Sequence, residues 1–205
     1  MFQLRPKNPR LFSIPAEEFL PQTIPVPVYF EKGKRVAEFE TRKRFEERVD
    51  ARRTFTVDGV DYKVKMYSQR FDCFRQSLVC ACCGLKGKIF ILEGIPGHEP
   101  PKGQGQSHTS IHFNLYGEIE NAYVLFTKDH IVPVSRGGTD VLSNYQTMCF
   151  VCNLVKGGTH LENAELKENP IIQEWMRVVA ENKPVALELG DAYVLKHKRF
   201  QHDIV

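Results

Sequence analysis

Polar and apolar positions alternate with period two from Thr54 to Lys65, and this run predicts a β-hairpin. Asp58-Gly59 at its centre accepts the positive φ angles of a type I′ turn, with β-branched or aromatic residues on both sides. Such a ribbon can enter a DNA groove, although most hairpins only build structure. Shorter runs at Lys88–Leu92, Ile111–Tyr116 and Ala122–Thr127 predict three more strands, the last leading straight into Asp129-His130. Near residue 149 the period changes. Phe150, Val151, Leu154 and Val155 recur at helical spacing as a stripe for the core, with Cys152, Asn153 and Lys156 on the other side and Gly157-Gly158 as the stop. A loop over 133–143 turns at Gly137-Gly138, so the local order is strand, loop, strand, helix. Farther on, Asn169-Pro170 opens a second helix. Its Ile171, Ile172, Trp175, Met176 and Val179 predict a packing element that ends at Asn182 and Pro184.

Other stretches lack a clear period. The first thirty residues carry Pro6, Pro9, Pro15, Pro21, Pro25 and Pro27, which forbid a long helix and suggest an extended arm. Lys32 to Arg53 is dense in charge and ambiguous between helix and strand, and His98 to His108 is a loop. There is no internal repeat. The chain divides into a basic extension with a hairpin (1–72), a core (73–163) and a C-terminal helix with a basic tail (164–205), in the α+β class.

Composition narrows the function classes. Hydrophobic residues at 42% and charged ones at 26% of 205 residues fit a soluble globular chain. No apolar run approaches the ~20 residues needed to span a bilayer. Met1-Phe2-Gln3-Leu4-Arg5-Pro6-Lys7 lacks the apolar core of a secretory signal, so a cytoplasmic, reducing setting is expected. There, six cysteines point to metal before disulfides. The net charge of +3 is too mild to indicate nucleic acid. Its distribution says more: residues 1–72 hold 15 Lys/Arg against 11 Asp/Glu, leaving 13 against 14 beyond them. A basic front end could supply phosphate contacts, and a solvated charged face would read the same way.

Cys80-x-x-Cys83 and Cys149-x-x-Cys152 form two thiolate pairs, each able to bite one tetrahedral Zn²⁺ through two ligands. Together they close a Cys₄ site with no open position for water, which would hold the fold and do no chemistry. Cys73 and Cys82 read as buried apolar residues.

Between and around these pairs lie Asp129-His130-Ile131-Val132-Pro133, Gly137-Gly138, Asn144 and Asn153-x-x-Lys156-Gly157. Over roughly residues 80–158 this order of residues resembles the HNH endonuclease family in its zinc-stabilised form. The resemblance implies a ββα-metal core, a divalent ion (Mg²⁺ or Mn²⁺), and hydrolysis of DNA phosphodiester bonds. It makes His130 the general base that deprotonates the attacking water, Asp129 a metal ligand, and Asn144 the residue that ties the loop and orients the histidine. Asn153 takes the third position, where many members have histidine. An amide oxygen is a harder donor than imidazole, so Asn153 with Asp129 favours Mg²⁺ or Mn²⁺ over a transition metal. The chemistry stands on its own terms: a neutral imidazole accepts water's proton while a cation bridges the scissile phosphate and the leaving 3′-oxygen. Lys156 and Arg136 are candidate phosphate contacts or plain surface cations, and His112, a hairpin's length before the catalytic strand, could face the site or only build structure.

The expectation is therefore a zinc-stabilised, Mg²⁺- or Mn²⁺-dependent nuclease acting on DNA, with no membrane partner. Its alternatives are a non-catalytic zinc knuckle that only binds nucleic acid, an HNH nuclease of RNA or modified DNA, and an interaction protein that uses residues 1–72 and 164–205. The expected site requires Asp129, His130 and Asn153 to converge on one cation.

Overall fold

Alternating burial along Ala122–His130, with Ala122, Val124 and Phe126 facing in, builds the strand on which the molecule is centred. The computed structural model describes residues 4–6, 12–26, 51–57, 59–93, 111–120, 122–159 and 161–183. Its elements are β1 (Leu4–Pro6), β2 (Ser13–Pro15), α1 (Ala16–Phe19), β3 (Arg52–Val57), β4 (Val60–Lys65), α2 (Gln69–Gln76), β5 (Gly87–Glu93), β6 (His112–Ile119), β7 (Ala122–His130), β8 (Tyr145–Cys149), α3 (Phe150–Lys156), α4 (Asn163–Lys167) and α5 (Pro170–Glu181). The class is α+β, as expected. His98, His108, His160 and the basic tail lie outside the described residues.

Six strands form one antiparallel sheet in the order β1-β7-β6-β5-β2, with β8 also on β7. The strand β7 is shared lengthwise. Its first half pairs with β1 (Leu4↔Val124 to Pro6↔Ala122) and its second half with β8 (Phe126↔Cys149 to His130↔Tyr145). On its other side it pairs with β6 only from Tyr116↔Leu125 to Ile119↔Ala122. Beyond Phe126 the two strands diverge, and β7 carries its last residues away with β8. That divergence presents Asp129 and His130 at a strand end.

The described parts of the proline-rich arm are built into the sheet. They supply two short edge strands, which end at Pro6 and Pro15, and the turn of α1. Phe19 of α1 is fully buried, its ring 4.2 Å from Phe90, 4.5 Å from Phe113 and 5.3 Å from Phe71. The hairpin β3–β4 forms with the expected register, Val57↔Val60 closing a two-residue turn and Gly59 at φ 78°. It packs its inner face on the same core through Phe55, 5.0 Å from Phe113. Residues on both sides of position 72 thus share one core. The helix α2 went unread in the sequence: it is only two turns long, capped by Ser68 accepting from the Arg70 N–H, with Phe71 and Phe74 buried.

The helix α3 spans the expected residues but turns a different face inward. Cys152 and Lys156, one turn apart, are its buried residues, while Val151 and Val155 are only partly covered. The helix α5 starts at the Asn169 cap and ends at Asn182 in the left-handed region, burying Ile172 and Trp175. Among the described residues no helix is long and apolar enough to cross a membrane.

Candidate metal centre and active site

Cys80 and Cys83 lie on a tight turn closed by Gly84 N–H to Cys80 O (3.1 Å) and Cys80 N–H to Leu85 O (2.9 Å), with Gly84 at φ 78°. Cys149 ends β8 and Cys152 sits in the first turn of α3. The four Sγ atoms are within 4.8 Å of one another, all buried, with Cys83 and Cys149 3.6 Å apart. A tetrahedral ion with Zn–S bonds of ~2.3 Å needs sulfurs about 3.8 Å apart, so the set fits one such ion. Burial pushes the Cys149 thiol up. Donation from Cys149, and then from Cys152 and Cys83, draws the Cys80 thiol far down. The Cys149 backbone N–H also points at the Cys80 sulfur, 3.3 Å away. Four buried thiolates need a cation to share the charge, and a soft ion such as zinc is compatible with them. Cys73 and Cys82 are buried as expected. Cys73 lies 3.6 Å from Thr147 Oγ1, and burial raises its thiol.

The centre ties the knuckle turn to the start of α3, and α3 then lies across one face of β7. Asn153 donates its amide N–H to Thr127 Oγ1 (2.9 Å). One turn on, Lys156 Nζ reaches Asp129 Oδ2 (2.5 Å) and the carbonyl of His130 (2.6 Å). Gln146, cross-strand from Asp129, donates to the same carboxylate oxygen (2.8 Å). Thr127 and Asp129 share a face because strand side chains alternate. For the same reason His130 takes the opposite face, beside its cross-strand neighbour Tyr145, with ring centroids 5.1 Å apart at 77°.

The expected residues are therefore placed in two groups. Asp129 and Asn153 share the α3 side of β7, Asn153 against Thr127 and Asp129 against Lys156, while His130 takes the other face of the strand end. Lys156 departs from both sequence readings. It is 1% exposed and salt-bridged to Asp129, so it is neither a phosphate contact nor a solvated lysine. The stripe reading failed because a lysine at a helix end looks polar until a buried carboxylate faces it.

Asn144 ties the loop after β7 together. Its Oδ1 accepts from Val132 N–H (2.9 Å), and its amide donates to the carbonyls of Val132 (3.0 Å) and Thr139 (2.9 Å). Gly138 makes room for this lock: a Cβ there would sit 1.8 Å from Val132 O. Gly137 turns the chain at φ 90°. Arg136 is exposed on the same loop. His112 joins another group, 3.2 Å from Asn114, which also receives Arg70 and donates to Glu93.

Sequence reasoning missed the partners of His130. Asp140 Oδ1 lies 2.6 Å from His130 Nε2 and accepts from Tyr145 Oη at 3.1 Å. Tyr145 and Lys128 both reach Gln69 Oε1 at 3.2 Å, and Lys128 stands 3.6 Å over the Tyr145 ring. The hydrogen bond from His130 is the main reason the Asp140 carboxyl is held below the usual carboxylate range. Burial lowers the Lys128 ammonium. The cross-strand pairing His130↔Tyr145 would have pointed to Tyr145, but Asp140 lies in an irregular loop with no period to read.

A family model described as HNH endonuclease matches residues 115–159, from within β6 to just past α3. The chain carries an HNH endonuclease domain. The match takes in Asp129, His130, Asn144, Asn153 and the second cysteine pair, while Cys80 and Cys83 precede it. No curated protein and no solved structure matches the chain. The match over residues 115–159 supports membership in the HNH family, whose nucleases act on nucleic acid with a divalent metal.

Proposed function

We propose that the chain is a metal-dependent endonuclease that hydrolyses DNA phosphodiester bonds, with β7, β8 and α3 as its ββα-metal unit and a structural Zn²⁺ at Cys80, Cys83, Cys149 and Cys152. One observation carries this reading: the HNH match covers the segment in which Asn144 locks the loop behind His130 at the open end of β7. His130 is the general base, and its side chain is 23% exposed, so water can reach it. Asp129 has Oδ2 engaged by Lys156 and Gln146 and offers its second oxygen. Asn153 has its amide nitrogen engaged by Thr127, which leaves its carbonyl oxygen as a donor. Two hard oxygen donors from the protein suit an ion that keeps waters and substrate phosphate as its other ligands. Mg²⁺ or Mn²⁺ bound there would neutralise charge at the scissile phosphate and the leaving 3′-oxygen. A phosphodiester laid across the end of β7 would meet Asp129 on one side and His130 on the other, with Arg136 free to contact the backbone. Lys156 holds Asp129 and the His130 carbonyl in place.

The test is incubation of supercoiled plasmid with the protein, with and without Mg²⁺, beside His130→Ala. The expected outcome is Mg²⁺-dependent nicking or linearisation that falls by about 10²–10⁴-fold in the variant, while DNA binding and bound zinc are retained. Wild-type cleavage by His130→Ala would sink the base assignment. Cleavage of RNA panels but not DNA would move the substrate class, and binding without cleavage would make the domain a zinc-braced binding module.

A further inference from the structure

The imidazole of His130 has two nitrogens, and only one can accept a proton from water. Asp140 stands 2.6 Å from Nε2, and a carboxylate at that distance takes an N–H. The carboxylate is itself held from a second direction by Tyr145 Oη at 3.1 Å, and the Tyr145 ring packs against the imidazole at 77°. Lys128 stands over the Tyr145 ring and donates to Gln69 of α2. These partners come from three separate parts of the chain, α2, β7 and β8 with the loop before it.

We propose that Asp140 is the positioning residue of the nuclease, fixing His130 in the Nε2–H tautomer so that Nδ1 is the nitrogen that receives the proton of the attacking water. The inference rests on the reading of His130 as general base. In the step it serves, the water oxygen forms a bond to phosphorus while its proton passes to Nδ1. The bond from phosphorus to the 3′-oxygen breaks, and that oxygen leaves with the electron pair. A fixed tautomer raises the fraction of molecules with a free lone pair on the reacting side, as a buried carboxylate does for other histidine bases. Asp140 is exposed over about half of its side chain, so removing it leaves the fold intact.

The full-length protein labelled with ¹⁵N-histidine reports the tautomer directly, with His130 assigned among the seven histidines by His130→Gln. Wild type is expected to show protonated Nε2 and bare Nδ1 in the neutral ring. Asp140→Ala is expected to give a mixed or Nδ1–H tautomer, a kcat for plasmid nicking reduced by about 10–100-fold, and a KM within about threefold of wild type. Asp140→Glu is expected to recover part of both signals. An unchanged tautomer in Asp140→Ala, an unchanged kcat, or a kcat that rises because the carboxylate had blocked Nε2 would each overturn the proposal. If His130→Ala still cleaves, the base reading fails instead, and the tautomer spectra separate that result from a failure of Asp140 alone.

Discussion

At the scale of single residues, Lys156 is the most informative side chain. An ammonium with 1% exposure can persist only beside compensating charge, and Asp129 and two backbone carbonyls provide it. Removing one partner strands the other in a buried site. Lys156→Met is therefore expected to lower the unfolding free energy by about 3 kcal/mol or more, read by urea denaturation, and Asp129→Asn/Lys156→Met together should cost less than the sum of the two single changes. A loss below about 1 kcal/mol would show that the ammonium reaches water. The same contact bears on the chemistry, because a carboxylate half-neutralised by lysine holds a cation through one oxygen. The tautomer experiment on Asp140 belongs at this scale too, since it turns on which of two nitrogens carries a hydrogen.

Among the secondary elements, the short helix α3 depends on help. Seven residues are too few to be stable alone, so its position comes from the cysteine centre at one end and the Lys156 contact at the other. Cys83→Ser or Cys152→Ser should remove bound zinc and lower the melting temperature together. A loss of about 3 kcal/mol moves the midpoint by roughly 6–12 °C in a chain of this size. Metal analysis and calorimetry check both, and a variant that keeps its melting temperature while losing metal would detach the centre from the fold. The strand β7 shows the complementary case: its pairing with β6 ends at Leu125, and from Phe126 to His130 it is held by its pairing with β8.

For the molecule as a whole, the described N-terminal strands β1 and β2 belong to the sheet that carries residues 115–130 of the HNH match. Phe19→Ala is expected to destabilise by about 3–5 kcal/mol, measured by denaturant unfolding, because its ring fills the space between Phe71, Phe90 and Phe113. A loss under about 1 kcal/mol would return the segment to a detachable arm. The linear order of residues was enough for the hairpin, for strands β5 to β7, for helices α3 and α5 and for the four cysteines, because period, turn chemistry and ligand spacing are local properties written along the chain. It also offered His130 and Asn144 as candidates by residue type and order. What it could not contain is who faces whom. The edge strands of the proline-rich arm, the burial of Lys156 against Asp129, the opposite faces of Asp129 and His130, and the Asp140 carboxylate at Nε2 all depend on pairings between distant segments. Such pairings exist once strands choose their register, and no window of neighbouring residues encodes them.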